Sequence, residues 1–358
     1  MRRLIFGILL ALFLSANAFA TESVGIDTDA LDDGLSEEAE EIMPEISPSV
    51  QGDLWESIKA VFFKAFGKTG ESLKSGLRLC AMLLGITTLC AIVELSSVGK
   101  YAGVITAAGA LGICAAIVGT VQTMVSLAVG TVQDIAAYSA CLMPVMASAA
   151  AMSGCLNAST ALYAGTTLFV ELLLQLISKL LVPAVFLYLA IAAAEAALAS
   201  DMLSELREFI GWVISKSLRI LLYLFLAYMS ATSVISGAAD AAAIKATKAA
   251  VSSMIPVVGG IMSDASETLL ASASILKSSV GVFGMVAVVA TCLVPFLRVG
   301  IQYLLLKITA AISGTVGLPS HIKLLKHCAT AIGYLLAMCG TSGLLLLISS
   351  VCFMKVVA

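Results

Sequence analysis

The sequence predicts an all-α, polytopic membrane protein, and three observations carry that reading. Hydrophobic residues fill 60% of the 358 positions and charged residues only 12%, about half the roughly 25% charge of an ordinary soluble domain. Several apolar runs approach the ~20 residues that a helix needs to cross a bilayer. Those runs are continuous rather than alternating, which argues against a membrane β-barrel. About eight or nine hydrophobic helices are expected, with broken or re-entrant segments, behind a cleavable signal peptide.

Residues 1–20 carry the marks of a secretory signal. Arg2 and Arg3 form a basic start, Leu4 to Leu14 an apolar core, and Ala18-Phe19-Ala20 a cleavage site of the A-x-A type. Cleavage would leave the mature N-terminus outside the cytosol. Residues 21–53 hold 11 acidic residues and no Lys or Arg, so an acidic, disordered extracytosolic tail is expected. Such a tail is either simply solvated or an arm that docks on a basic partner. The remaining 305 positions carry 18 Lys/Arg against 12 Asp/Glu, a mildly basic body suited to anionic lipid headgroups.

Residues 54–78 form an amphipathic interfacial region. Within 54–68, Leu54, Trp55, Ile58, Val61, Phe62, Ala65 and Phe66 lie toward one face, and Lys59, Lys64 and Lys68 toward the other. This pattern suits a helix lying at headgroup depth or one capping the bundle. Spans are then expected near 79–95, 102–128, 135–152, 160–177, 180–199 and 209–235, making a first bundle half over 79–235. A second group over 280–358 contributes 280–297, 299–317 and 331–353. Lys179 and Pro183 interrupt 160–199, which reads as a kinked pair or a re-entrant element. Small residues, as in Ala107 to Ala110 and Ala147 to Gly154, let helix backbones approach closely in lipid. Orientation signals conflict: a cleaved signal places Lys59, Lys64, Lys68, Lys74 and Arg78 outside, whereas basic flanks favour the cytosol. The signal peptide is taken as the stronger of the two.

One stretch breaks the apolar pattern. Residues 236–279 combine a short amphipathic run with Ile255-Pro256-Val257-Val258-Gly259-Gly260, then the polar residues Ser263, Asp264, Ser266 and Glu267, and end at Lys277. Proline lacks a backbone donor and paired glycines loosen the chain, so a helix break is expected there. Within lipid a break must be buried in protein or line a wet cavity. Met143-Pro144-Val145-Met146 echoes Ile255-Pro256-Val257-Val258, and Val182-Pro183 echoes Val294-Pro295. Both proline pairs repeat at an offset of 112 residues, as paired broken helices do in transporters built from repeats. Pro183 and Pro295 are therefore read as helix breaks, and Pro144 to Gly154 as a second proline-containing motif.

Ionisable residues within apolar runs are functional candidates by default. Here they are Glu171, Lys179, Glu195, Lys216 and Arg219, with Arg298 and Lys307 beyond them; the competing explanation is snorkelling bases and structurally paired acids. The nine cysteines show no CxxC pattern and read as small packing residues. His321 and His327 sit with Lys323 and Lys326 in what reads as a short basic loop, without a carboxylate or cysteine pattern suited to metal. No P-loop, HExxH or G-x-S-x-G occurs. No enzyme, cofactor, metal site or nucleic-acid binding is expected. Any ATP would be bound by another subunit.

Three stretches resemble the stage III sporulation protein AE family of endospore-forming bacteria. They are IPVVGGIMSDASETLLASASILKSSVG from Ile255, LMPVMASAAAMSG from Leu142, and GVFGMVAVVATCLVPFLRVGIQYLLLKITAAI from Gly281. The first is the most specific, and the similarity extends through most of residues 50–355. The resemblance implies a multi-pass component of a channel complex connecting mother cell and forespore, in the mother-cell-derived outer forespore membrane. By the same resemblance its partners include an ATPase and ring-forming proteins of the same operon and, indirectly, a forespore membrane protein. Its part would be that of a permease or export gate needed for forespore development. The alternative is a stand-alone secondary transporter of a small solute, with Glu171 and Glu195 at a midplane site.

Overall fold

The computed structural model describes residues 34–43, 54–96, 101–152, 155–254 and 259–355; the side chains of Glu37, of 54–56 and of 233–279 other than Ala242 lie outside the description. Among the described residues the secondary structure is helical, without strands. The helices are α1 (Glu37–Ile42), α2 (Leu54–Gly67), α3 (Gly70–Ser96), α4 (Ala102–Met152), α5 (Leu156–Leu176), α6 (Val182–Leu198), α7 (Ser204–Met254), α8 (Gly259–Ser313) and α9 (Pro319–Lys355). A π-helical turn, Ile177–Leu181, joins α5 to α6.

Six of these segments are long and apolar enough to cross a membrane: Gly70–Ser96, Ala102–Met152, Leu156–Leu198, Ser204–Thr232, Val280–Ser313 and Pro319–Met354. The expected eight or nine therefore become six among the described residues. The difference arises because three pairs of apolar runs are each one continuous helical segment. The runs 102–128 and 135–152 are both in α4, 160–177 and 180–199 are linked through the π turn, and 280–297 and 299–317 both fall on α8, which ends at Ser313.

Neither internal proline ends its helix. Pro144 lies inside α4 and Pro295 inside α8, correcting the reading of Pro295 as a break. A proline costs one i→i−4 bond, and packing against neighbouring helices offsets that loss. Leu142, Met143 and Met146 beside Pro144 are buried, as is Val294 beside Pro295. Pro183 behaves differently: it occupies the start of α6, where its missing N–H costs little.

The α8–α9 hairpin and α4 form the centre of the bundle. On one side α3 packs against α8 and α4, while α2 and α1 pack against α8. On the other, α5 and α6 pack against α4 and α9, and α7 packs against α5, α6 and α9. Buried hydroxyls link the layers: Thr166 and Ser349 lie 2.8 Å apart, and Thr87 and Ser313 3.3 Å. Such bonds between helices contribute about 1 kcal/mol or less each in lipid. Close approach is set by glycine at Gly165, where an added Cβ would lie 2.0 Å from Cε1 of Tyr228.

Two segments expected to be irregular are ordered helices. Residues 37–42, inside the tail read as disordered, form α1, and its Ala39 and Ile42 are fully buried against Val61, Ala65, Val286, Ala290 and Val294. The acids that suggest disorder alternate with apolar residues at helical spacing, giving α1 a face to bury. His321 and His327 belong to α9 and not to a loop. On α2, Val61 and Ala65 pack inward while Phe62, Phe63 and Phe66 remain exposed, so this helix both docks on the bundle and presents an aromatic face.

The turn after α6 carries the one positive φ among described non-glycine residues, Ala199 at φ 49°, ψ 38°. A left-handed alanine costs roughly 1 kcal/mol, and its side chain is exposed. Ala199→Gly is therefore expected to stabilise the protein by about 1 kcal/mol, read as a raised melting temperature in detergent; an unchanged or lowered value would contradict the strain.

Candidate functional site

The left-handed turn brings α7 back along α6 and sets Arg207 against Glu195. Arg207 Nε donates to Glu195 Oε2 at 2.7 Å, with side-chain exposures of 12% and 8%. Glu195 Oε1 is buried without a partner. Arg207 Nη1 also lies 3.4 Å from His327 Nδ1 on α9, and the Tyr188 hydroxyl 3.1 Å from the same nitrogen. A guanidinium only donates, so Nδ1 carries the lone pair and the imidazole proton sits on Nε2. Tyr188 stacks edge-on against both His327 and Tyr334.

At the rim, Lys323 Nζ donates to both oxygens of Asp201 at 2.9 Å each. That bond holds the Asp201 carboxyl below its ordinary range. Glu195, Asp201, Ser320, Lys323 and His327 line a small cavity of about 50 Å³. The charges balance pair by pair, so the arrangement orders α6, α7 and α9 around one polar point instead of presenting a free acid or base.

A second polar region runs along the middle of α4. Gln122, Ser126, Gly130 and Asp134, spaced by four residues, share one helix face. With Thr291 and Pro295 of α8 and Ser36 and Glu38 of the N-terminal segment they line a cavity of about 760 Å³. The hydroxyls of Thr123, Thr131 and Thr291 donate to carbonyls of their own helices, so their oxygens are left as acceptors. Thr123 and Leu127 also line an adjoining cavity of about 520 Å³, reached by Lys68, Glu71, Arg298 and Gln302. Among the described residues no group of three or more His, Cys, Asp or Glu is arranged to hold a metal.

The candidates named from sequence are dispersed. Of the charges, Glu195 is buried; Glu171, Lys179, Lys216 and Arg219 are exposed, Glu171 accepting from Gln175 at 2.7 Å. Glu171 and Glu195 stand 24 residues apart on the α5–π–α6 rod, roughly 36 Å, so they form no common site. Pro256, Val257 and Val258 lie outside the described residues. Gly259, Gly260, Ser263, Asp264, Glu267 and Lys277 are in the α8 backbone, their side chains outside the description. Gly154 is also outside it. Arg207, Tyr188, Asp134 and Gln302 were not anticipated. The four-residue polar spacing on α4 was a usable signal for Asp134, whereas the Glu195–Arg207 pairing depends on a turn with no glycine to mark it.

The model of the family described as stage III sporulation protein AE matches residues 40–356. The chain belongs to the stage III sporulation protein AE family. A relative within it, stage III sporulation protein AE of Bacillus subtilis (strain 168), is 22% identical over 289 residues, covering 79% of this chain and 71% of the relative. No solved structure matches the chain. The family match starts inside α1 and runs to the end of α9, so it takes in the Glu195–Arg207 cluster, the α4 and α8 walls of the larger cavity and all six apolar helices. Membership places the protein in sporulation, and the apolar helices make it a multi-pass membrane protein of that family.

Proposed function

We propose that this protein is the permease- or export-gate-like membrane component of a sporulation channel complex connecting mother cell and forespore, required for forespore development. The observation that carries the reading is the family match over 40–356 on a chain with six apolar helices. Polar cavities beside α4 suit a protein that handles hydrophilic material within an apolar bundle. The location proposed is the mother-cell-derived outer forespore membrane, with an extracytosolic N-terminus after removal of residues 1–20. An ATPase and ring-forming subunits of the same operon are the proposed partners, and a forespore membrane protein is met indirectly. The protein itself is proposed to have no enzymatic activity.

Deletion of the gene is expected to lower the frequency of mature spores severely. Mild-detergent extraction from sporulating cells should recover the tagged protein in a large assembly with an ATPase and ring proteins. Spore formation at the parental frequency, or a lone monomer after cross-linking, would overturn the proposal. The stand-alone transporter loses its proposed midplane pair, because Glu171 is exposed and Glu195 is held by Arg207.

A further inference from the structure

The acidic segment α1 is held by three cationic side chains. Arg298 Nη1 lies 2.8 Å from Glu38 Oε1, Lys68 pairs with Glu41, and Lys64 Nζ donates to the Met43 carbonyl at 3.2 Å. Two of these cations, Lys68 and Arg298, also line the 520 Å³ cavity between α3, α4 and α8. A third donor lines it: Gln302 is 4% exposed, and its Nε2 is buried without a partner. An added Cβ on Gly76 would lie 2.9 Å from Gln302 Oε1, so the carbonyl end of the amide is pressed against α3. A buried unmet donor is destabilising, and an oxygen acceptor in the cavity would relieve it.

We propose that this cavity is a carboxylate-binding site, with Arg298, Lys68 and Gln302 as its donors and α1 as a tethered competitor that engages the two cations at its rim. Glu38 and Glu41 show that the two cations accept carboxylates, since each already holds one. The segment satisfies the charges at the rim and leaves the amide deeper in the site unmet. A guanidinium and an ammonium are strong donors to a carboxylate, and the amide N–H adds a further charge-assisted bond. Glu71 also lines the cavity, which disfavours polyanions and favours a single carboxylate. That carboxylate is either a side chain of an acidic peptide segment, as in α1, or a small free acid. In either case the ligand competes with α1, and its binding loosens the N-terminal segment from α8.

The test uses full-length protein in detergent carrying Glu38→Gln and Glu41→Gln, which frees Arg298 and Lys68. The probe is a fluorescent peptide with the sequence of residues 34–43, GLSEEAEEIM. It is expected to bind this variant about tenfold more tightly than the wild type, and Gln302→Glu added to the variant should weaken binding about tenfold. Arg298→Gln, at a partly exposed position, gives the same readout if Gln302→Glu does not yield folded protein. Acetate at matched ionic strength identifies the source: displacement of the probe by acetate but not by chloride points to small acids, and displacement only by unlabelled peptide points to an acidic segment. Either result upholds the site. Absence of probe binding, equal binding to the wild type and the freed variant, or binding unaffected by loss of the donors would overturn it.

Discussion

Arg207→Met is expected to destabilise the bundle by about 3–5 kcal/mol, the usual cost of removing one partner of a buried ion pair. Glu195 has one oxygen bonded to Arg207 and the other already without a partner. Without the guanidinium, a buried carboxylate would be left with neither charge compensation nor a donor. The same guanidinium approaches His327 Nδ1, so the contact between α7 and α9 weakens too. Glu195→Gln should cost less, because the amide oxygen still accepts from Arg207 Nε and the guanidinium keeps its approach to His327. The double variant Glu195→Leu/Arg207→Met should recover most of the loss, since an apolar pair of similar volume replaces a buried ion pair at little cost. Thermal unfolding in detergent can be followed through a thiol-reactive dye, because Cys80, Cys155, Cys328 and Cys339 are buried in the native state. A single Arg207→Met variant melting like the wild type would show that the pair carries no weight.

Gly109→Ala should cost about 1–3 kcal/mol, through overpacking of a site with no room for a methyl group. An added Cβ would stand 2.3 Å from His321 Cε1, 2.6 Å from its Nε2 and 2.7 Å from Cys90 Sγ. His321 is fully buried, and its Nε2 donates to the Thr106 carbonyl on α4 at 2.9 Å. The methyl group therefore forces either α4 away from α9 or the imidazole off its carbonyl, leaving a buried donor unmet. Leucine at the same position should prevent folding. The mechanism predicts strong coupling: Gly109→Ala should cost far less when His321 is already alanine. Equal costs in the two backgrounds, measured by the same melting experiment, would place the clash elsewhere.

The membrane class and the helical fold were readable in the sequence because both depend on composition and on the length of apolar runs. The segmentation was less so. Residues 129–134, with Gly130 and Asp134, read as a gap between two spans, yet they lie within α4, where Gln122, Ser126, Gly130 and Asp134 share one face at the four-residue spacing of a helix stripe. A polar stripe and a polar loop have the same composition and differ only in period. Glu195 was legible as an acid in an apolar run. Its partner was not, because the chain reverses through Ala199, a residue type that gives no turn signal. The acidic tail was underestimated for a related reason. Charge density argues for disorder, but Leu35, Ala39 and Ile42 supply an apolar edge that matters only once α2 and α8 are there to receive it.

The π-helical turn between α5 and α6 has a consequence for the rotational phase of the rod. Each residue of an α-helix turns the chain by about 100°, and a π turn arises where one residue is surplus to the regular winding. Leu173, Ile177, Leu181 and Val185 are all buried at steps of four, a spacing that drifts off one face of a plain α-helix. Winding the surplus residue into a wide turn cancels the drift, so α5 and α6 both keep their buried edges facing the same neighbours. The phase of everything downstream, including the direction in which Glu195 meets Arg207, is thus set at Ile177–Leu181, about four turns before the ion pair itself.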